Sequence, residues 1–115
     1  MSYKIIAVPV FQKELKKLSK KYASLKNDLA ILFDSLEKKP IQGTALGKNC
    51  YKIRVAISSK GKGKSGGARV ITHIVIENEI IYLLSIYDKS DIENLSNKEL
   101  IELLKSIDDS ENTTL

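Results

Sequence analysis

Hydrophobic positions change their period along the chain, and each change marks an element. Tyr3 to Val8 (YKIIAV) is a short, β-branched apolar run closed by Pro9, the pattern of a strand. From Pro9 onward Phe11, Leu15, Leu18 and Tyr22 recur at spacings of four, three and four, which predicts an amphipathic helix. Pro9 suits its first turn, where a missing N–H costs nothing. A second stripe, Leu25, Leu29, Leu32, Phe33 and Leu36, predicts a helix over Ser24 to Glu37 with Ser24 as its N-cap. The short Tyr22-Ala23 junction folds the two helices into a hairpin. Pro40 stops the helical pattern, and IQGTALGKNC reads as a loop returning to the sheet.

Period two then takes over. In Tyr51 to Ile57 the residues Tyr51, Ile53, Val55 and Ile57 point one way, and Lys52, Arg54 and Ala56 the other. Ala68 to Ile76 and Ile80 to Tyr87 are β-branched strands joined by the tight turn Glu77-Asn78-Glu79. Asp88 to Leu95 is a polar turn. Ser96 and Glu99 form a capping box ahead of Leu100, Leu103, Leu104 and Ile107, which predicts a last helix. The order is β-α-α-β-β-β-α: an α+β domain with helices against a mostly antiparallel sheet. We expect a single domain over residues 1–107 and a frayed, polar tail over 108–115.

Charge sharpens this picture. The net charge is +5, yet from Asp88 onward eight Asp or Glu stand against three Lys, so the cationic character lies upstream. Between Glu37 and Glu77 there is no acidic residue at all. Within that gap Tyr51 to Ile71 carries Lys52, Arg54, Lys60, Lys62, Lys64 and Arg69, and Lys48 lies just before it. Like charges at this density call for an anionic partner, such as nucleic acid, an anionic membrane surface or an acidic protein. The apolar runs are too short to span a bilayer, and the first residues lack the layout of a secretory leader. The single Cys50 forbids an internal disulfide and fits a reducing cytoplasm. One His and one Cys do not make a usual zinc site, so neither a metal nor another cofactor is expected.

Strand parity gives the charges a geometry. Lys52 and Arg54 share a face of one strand, Arg69 opens the next after Gly66-Gly67, and Tyr87 and Lys89 close the last. With these strands adjacent, the five side chains converge on one site offering charge-assisted donors to a phosphodiester. RNA supplies its own nucleophile, the 2′-hydroxyl, so cationic groups suffice to orient the sugar, neutralise charge and relay protons. Such cleavage yields a 2′,3′-cyclic phosphate and a 5′-hydroxyl. Simpler readings stand beside this one: a strand lysine is most often a solvated side chain, and Tyr87 is as readily a packing aromatic. His73 shares parity with Arg69 but lies roughly 13 Å along the strand, which favours a structural role, and Cys50 reads as a small buried hydrophobe. The Gly- and Lys-rich loop SSKGKGKSGG precedes a strand, not a helix, so it is not a nucleotide-binding P-loop. Glycine and charge repulsion predict that it has no order of its own.

CYKIRVA at Cys50–Ala56, GKSGGARVI at Gly63–Ile71 and LLSIYDKSDIENLS at Leu83–Ser96, in this element order, resemble the RelE/ParE superfamily of type II toxin–antitoxin toxins, nearest its RelE/HigB-like branch. The resemblance spans roughly Tyr3 to Ile107. It implies an mRNA endoribonuclease acting in the ribosomal A site, with catalytic roles on Lys52, Arg54, Arg69 and Lys89. Arg69 would stabilise the phosphorane and Lys89 would protonate the leaving 5′-oxygen, where the family has an arginine. Arg54 stands where the family has a lysine proposed as base, and arginine holds its proton, so Lys52 or Tyr87 takes that role. Lys48, Lys60, Lys62 and Lys64 are assigned to gripping mRNA or ribosomal RNA. The resemblance also implies an antitoxin partner with a helix-turn-helix domain, through which the pair reaches operator DNA. Two alternatives stay open: a ParE-like inhibitor of DNA gyrase, and a non-catalytic RNA-binding module.

Overall fold

In the computed structural model, residues 2–61, 63–91, 94–108 and 111–115 are described. Strand β1 (Lys4–Ala7) leads through Val8 into helix α1 (Pro9–Lys21), whose Phe11 and Leu18 are buried. Helix α2 (Leu25–Lys38) buries Leu25, Leu29 and Leu36. The two helices meet where the Phe11 and Phe33 rings tilt against each other, 6.5 Å between centroids. Both follow the predicted stripes, because one apolar face per helix is what a sheet can cover.

Strands β2 (Thr44–Gly47), β3 (Cys50–Val55), β4 (Ala68–Val75) and β5 (Ile80–Asp88) form an antiparallel meander. Helix α3 (Asn97–Lys105) follows, and a two-residue strand β6 (Thr113–Thr114) ends the chain. The six strands lie in the order β2-β3-β4-β5-β1-β6, with β1 parallel to β5 and every other pairing antiparallel. This is the expected α+β architecture, with helices against a mostly antiparallel sheet. The capping box of α3 also forms: Glu99 N donates to Ser96 Oγ and Ser96 N to Glu99 Oε1, each at 3.1 Å.

Three local expectations are corrected. The segment read as a crossing loop contains β2, joined to β3 by Lys48 and Asn49, both at positive φ (55° and 59°). Two such residues make the turn whose twist matches a hairpin; four short residues gave too little alternation to announce the strand. The tail does not simply fray, since Thr113 pairs with Ala7, Thr114 with Ile6, and Leu115 N donates to Ile5 O at 2.8 Å. It satisfies the outer edge of β1, which periodicity in the tail could not reveal. Ser24 precedes α2 as expected but does not cap it; its hydroxyl bonds Asp28 at 2.8 Å and Ser59 at 3.0 Å instead.

Candidate active site

The register of β3, β4 and β5 sets two rows of side chains across one face of the sheet. Arg54 stands opposite Arg69, and Arg69 opposite Tyr87. Two residues along, Lys52 stands opposite Ile71 and Ile71 opposite Ser85. Between these rows, the reverse parity carries Ile53, Val70 and Ile86, all buried in the core. Lys89 lies just past the end of β5, and its N–H donates to the Gly67 carbonyl at 3.1 Å, beside the opening of β4. The register therefore sets Arg54, Arg69 and Tyr87 in one row with Lys52 two residues along β3, whereas Lys89, expected to close the last strand, lies beyond it and is tied to Gly67 through its backbone.

The environments within the cluster differ. Arg54 and Lys89 are exposed, whereas Arg69 and Tyr87 are buried at 6% and 4% exposure. The Arg69 guanidinium is held by carbonyls: Nη1 donates to Lys64 O (2.9 Å) and Ala68 O (3.0 Å), and Nη2 to Ser65 O (3.4 Å). Burial, and then the Arg54 charge, weaken its hold on the proton, though an arginine remains cationic. Burial pushes the Tyr87 phenol up against the pull of Arg69, so Tyr87 keeps its proton at neutral pH. Its hydroxyl has no hydrogen-bond partner among the described residues. The described residues form two ion pairs, Lys60–Asp88 and Lys105–Glu102, and neither involves an arginine. Two cationic fork-shaped donors thus face each other without a carboxylate between them, an arrangement matched to a phosphodiester.

Lys52, Arg54 and Lys64 also line a cleft of about 530 Å³ along β3, floored by Ile53 and Val55 and walled by Ile31 and Leu32 of α2. Gly67 explains how the lysine-rich loop rejoins the sheet so closely. A Cβ at that position would overlap the Val55 carbonyl, so only glycine lets the strands meet there.

The other lysines assigned to RNA binding separate. Lys64 is exposed beside the cleft. Lys48 is exposed in the β2–β3 turn, roughly 20 Å from Arg54 by strand rise. Lys60 is not a free surface cation: its Nζ bonds Asp88 Oδ1 at 2.8 Å and sits over the Tyr22 ring, 5.5 Å from the centroid. Lys62 lies outside the described residues. The described parts of the β3–β4 loop are more ordered than its glycine content suggests, with short 3₁₀ turns at Ser58–Lys60 and Lys64–Gly66. His73 meets Cys50 (Nδ1 to Sγ 3.5 Å) and stacks on Tyr82, away from the arginine row. Burial pushes the Cys50 thiol up to about 11, so it is no nucleophile at neutral pH.

Sequence reading misses Asp28 and Asp88. The partners that give them their place in the fold, Ser58 for Asp28 and Tyr22 and Lys60 for Asp88, lie 28 to 66 positions away.

The chain matches, over residues 8–113, the family model described as the RelE toxin of the RelE/RelB toxin–antitoxin system. Among solved structures it is similar to a double arginine-to-alanine mutant of E. coli toxin RelE in the free state, at TM-score 0.60 and 18% sequence identity. The likeness covers 93% of this chain and 99% of that one. At this identity the second likeness concerns the fold.

Proposed function

The chain belongs to the RelE toxin family of toxin–antitoxin systems, and from that premise we propose that it is a ribosome-dependent mRNA endoribonuclease. The observation carrying this reading is the row Arg54–Arg69–Tyr87, two arginines and a protonated phenol in one line across three strands. Phosphoryl transfer within RNA needs stabilisation of charge on the non-bridging oxygens, and such donors provide it. In this reading Arg69, held in place by backbone carbonyls, meets the developing phosphorane together with Arg54. Tyr87 donates a hydrogen bond, and Lys52 takes the 2′-hydroxyl proton only as the unprotonated amine, becoming the ammonium as the 2′-oxygen attacks phosphorus. Lys89, exposed at the end of β5, returns a proton to the leaving 5′-oxygen. Lys64, and Lys48 at a distance, hold the RNA backbone or ribosomal RNA by charge.

The partner expected of a toxin in this family is an antitoxin. We propose one of the HigB-associated kind, with a helix-turn-helix domain that carries the pair to operator DNA, in the cytoplasm. No described helix is long and apolar enough to cross a membrane.

Inducing the chain alone and mapping 5′ ends of cellular mRNA tests the proposal. In-frame cuts within translated regions support it. Intact mRNA with trapped gyrase–DNA complexes would replace it with the ParE-like activity, and RNA binding without cuts would leave a binding module.

A further inference from the structure

The loop between β3 and β4 has no internal reason to hold a shape. It is rich in glycine, and its lysines repel one another. Its first half is nevertheless tied down at three successive residues. Asp28 of α2 accepts from Ser58 N (2.9 Å) and Ser58 Oγ (2.6 Å). Ser24 Oγ accepts from Ser59 N at 2.8 Å. Lys60 donates to Asp88 Oδ1, while Tyr22 donates to Asp88 Oδ2 at 2.5 Å. Ser90 adds bonds from its N–H (3.0 Å) and hydroxyl (2.8 Å) to Asp88. Burial alone would push the Asp88 carboxyl up, but these donors outweigh it and hold the group well below the usual carboxylate range.

The second half of the same loop supplies the acceptors for Arg69. Lys64 O and Ser65 O receive its guanidinium, and Gly67 O receives Lys89 N. The described parts of the loop therefore act as a strap: residues 58–60 are anchored to α2, to the end of β5 and beside Tyr22, and residues 64–67 shape the cationic row.

We propose that Asp28 and Asp88 are positioning residues for Arg69, acting through Ser58 and Lys60 on the strap that carries its carbonyl acceptors. The proposal deepens the reading of the arginine row as an RNA phosphate site and rests on it for its catalytic consequence. It also gives Lys60 a job different from that of Lys64. Lys60 spends its charge on Asp88 inside the protein, so removing it disturbs geometry; removing Lys64 weakens the attraction of the backbone. A rigid guanidinium is worth having here, because misplacing a catalytic group by about 1 Å costs up to a hundredfold in rate.

The chain has two arginines, so the side-chain N–H signals of Arg69 can be followed in the full-length protein by NMR and assigned with Arg69→Lys. In the wild type, Arg69 guanidinium exchange should be slower than that of Arg54. Lys60→Gln and Asp28→Asn, each checked for retained fold by circular dichroism, should bring it toward the Arg54 rate, and Lys60→Arg should restore it. Unchanged Arg69 exchange in both folded variants overturns the proposal. On translated mRNA, Lys60→Gln should lower kcat by about tenfold to a hundredfold with KM and salt dependence kept, whereas Lys64→Gln should reduce the salt slope by about one. A changed salt slope and KM for Lys60→Gln at constant kcat would also overturn it, making Lys60 an RNA contact. If the variants show the exchange changes but the wild type cuts no RNA, the positioning stands and the ribonuclease reading fails.

Discussion

Arg54 and Arg69 occupy directly opposed positions on β3 and β4, so two permanent positive charges face each other across a single strand pairing. Like charges in that relation destabilise a sheet. No carboxylate among the described residues pairs with either of them. Arg69 is in addition buried, at a cost that its carbonyl contacts offset only in part. A fold carries such a pair at the expense of stability, and an anion laid between the two guanidiniums would relieve it. This relationship makes the predictions specific.

Arg54→Gln should separate stability from activity. Removing one of the opposed charges is expected to raise unfolding free energy by about 0.2–1 kcal/mol while RNA cleavage falls. Urea denaturation with the same preparation assayed on translated mRNA measures both. A destabilised Arg54→Gln would contradict the view of the pair as strained.

Arg69→Lys keeps the charge but loses the fork that reaches Lys64 O, Ala68 O and Ser65 O together. Cleavage should drop by about 10²–10³, the loss typical of removing one preorganised donor from a transition state. Growth inhibition on induction should disappear with it. Full toxicity in Arg69→Lys would show that only charge matters at this position.

Tyr87→Phe deletes a buried hydroxyl that has no partner among the described residues. Stability should stay level or rise by about 1 kcal/mol. Turnover should fall by about 10- to 100-fold, one charge-assisted hydrogen bond of about 1.5–3 kcal/mol. A wild-type rate would return Tyr87 to a packing role.

Gly67→Ala places a methyl group against the Val55 carbonyl. The strands must part there, with an expected loss of about 1–3 kcal/mol and a shift of both Arg69 and Lys89, whose backbone is bonded to Gly67. Equilibrium unfolding compared with Gly63→Ala, where a Cβ meets open space but φ is positive, distinguishes crowding from backbone strain.

Acid should act on this protein through Asp88 and Glu14 in opposite senses. The Asp88 carboxyl is depressed in the folded state. Its contribution is full above the unfolded value of about 3.9 and is lost as pH falls through the lower folded value. Glu14 is raised by burial despite its bonds from Ser85 and Ile86. Its penalty applies above the folded value and is relieved as pH drops below the unfolded one, near 4.3. Asp88→Asn should therefore flatten the steep acid limb below about pH 4, and Glu14→Gln should remove the opposing slope that lies above its unfolded value of about 4.3. Thermal melts over that range, compared with wild type, read out both signs.

Much of the fold was legible because each helix, and strands β1 and β3, bury a single face and so write a period into the chain, while β4 and β5, buried on both faces, show as unbroken β-branched runs. The stripe from Phe11 to Leu18, the alternation from Tyr51 to Ile57 and the Ser96–Glu99 box are all local signals, and each became the element it predicted. Strand β2 and the pairing of Thr113 and Thr114 escaped, since their partners lie elsewhere and their residues are short or polar. The same division runs through the candidate site. Residues two apart on a strand share a face whatever the rest of the protein does, so Lys52 with Arg54 could be grouped in advance, whereas Lys89 lies past the end of β5, where parity no longer places it.

The sequence by itself determined which elements form, where the cationic residues concentrate and which of them share a strand face, because local periodicity and charge are properties of neighbouring residues. Only the tertiary structure decided the rest. It set Arg54 against Arg69 and Arg69 against Tyr87, since register depends on how strands slide past one another. It also turned Lys60 inward to Asp88 and left Lys64 outward, although the two lysines lie in the same loop. That choice was made by Tyr22, Asp28 and Asp88, carried by segments far away in the chain, and no pattern within the loop encodes it.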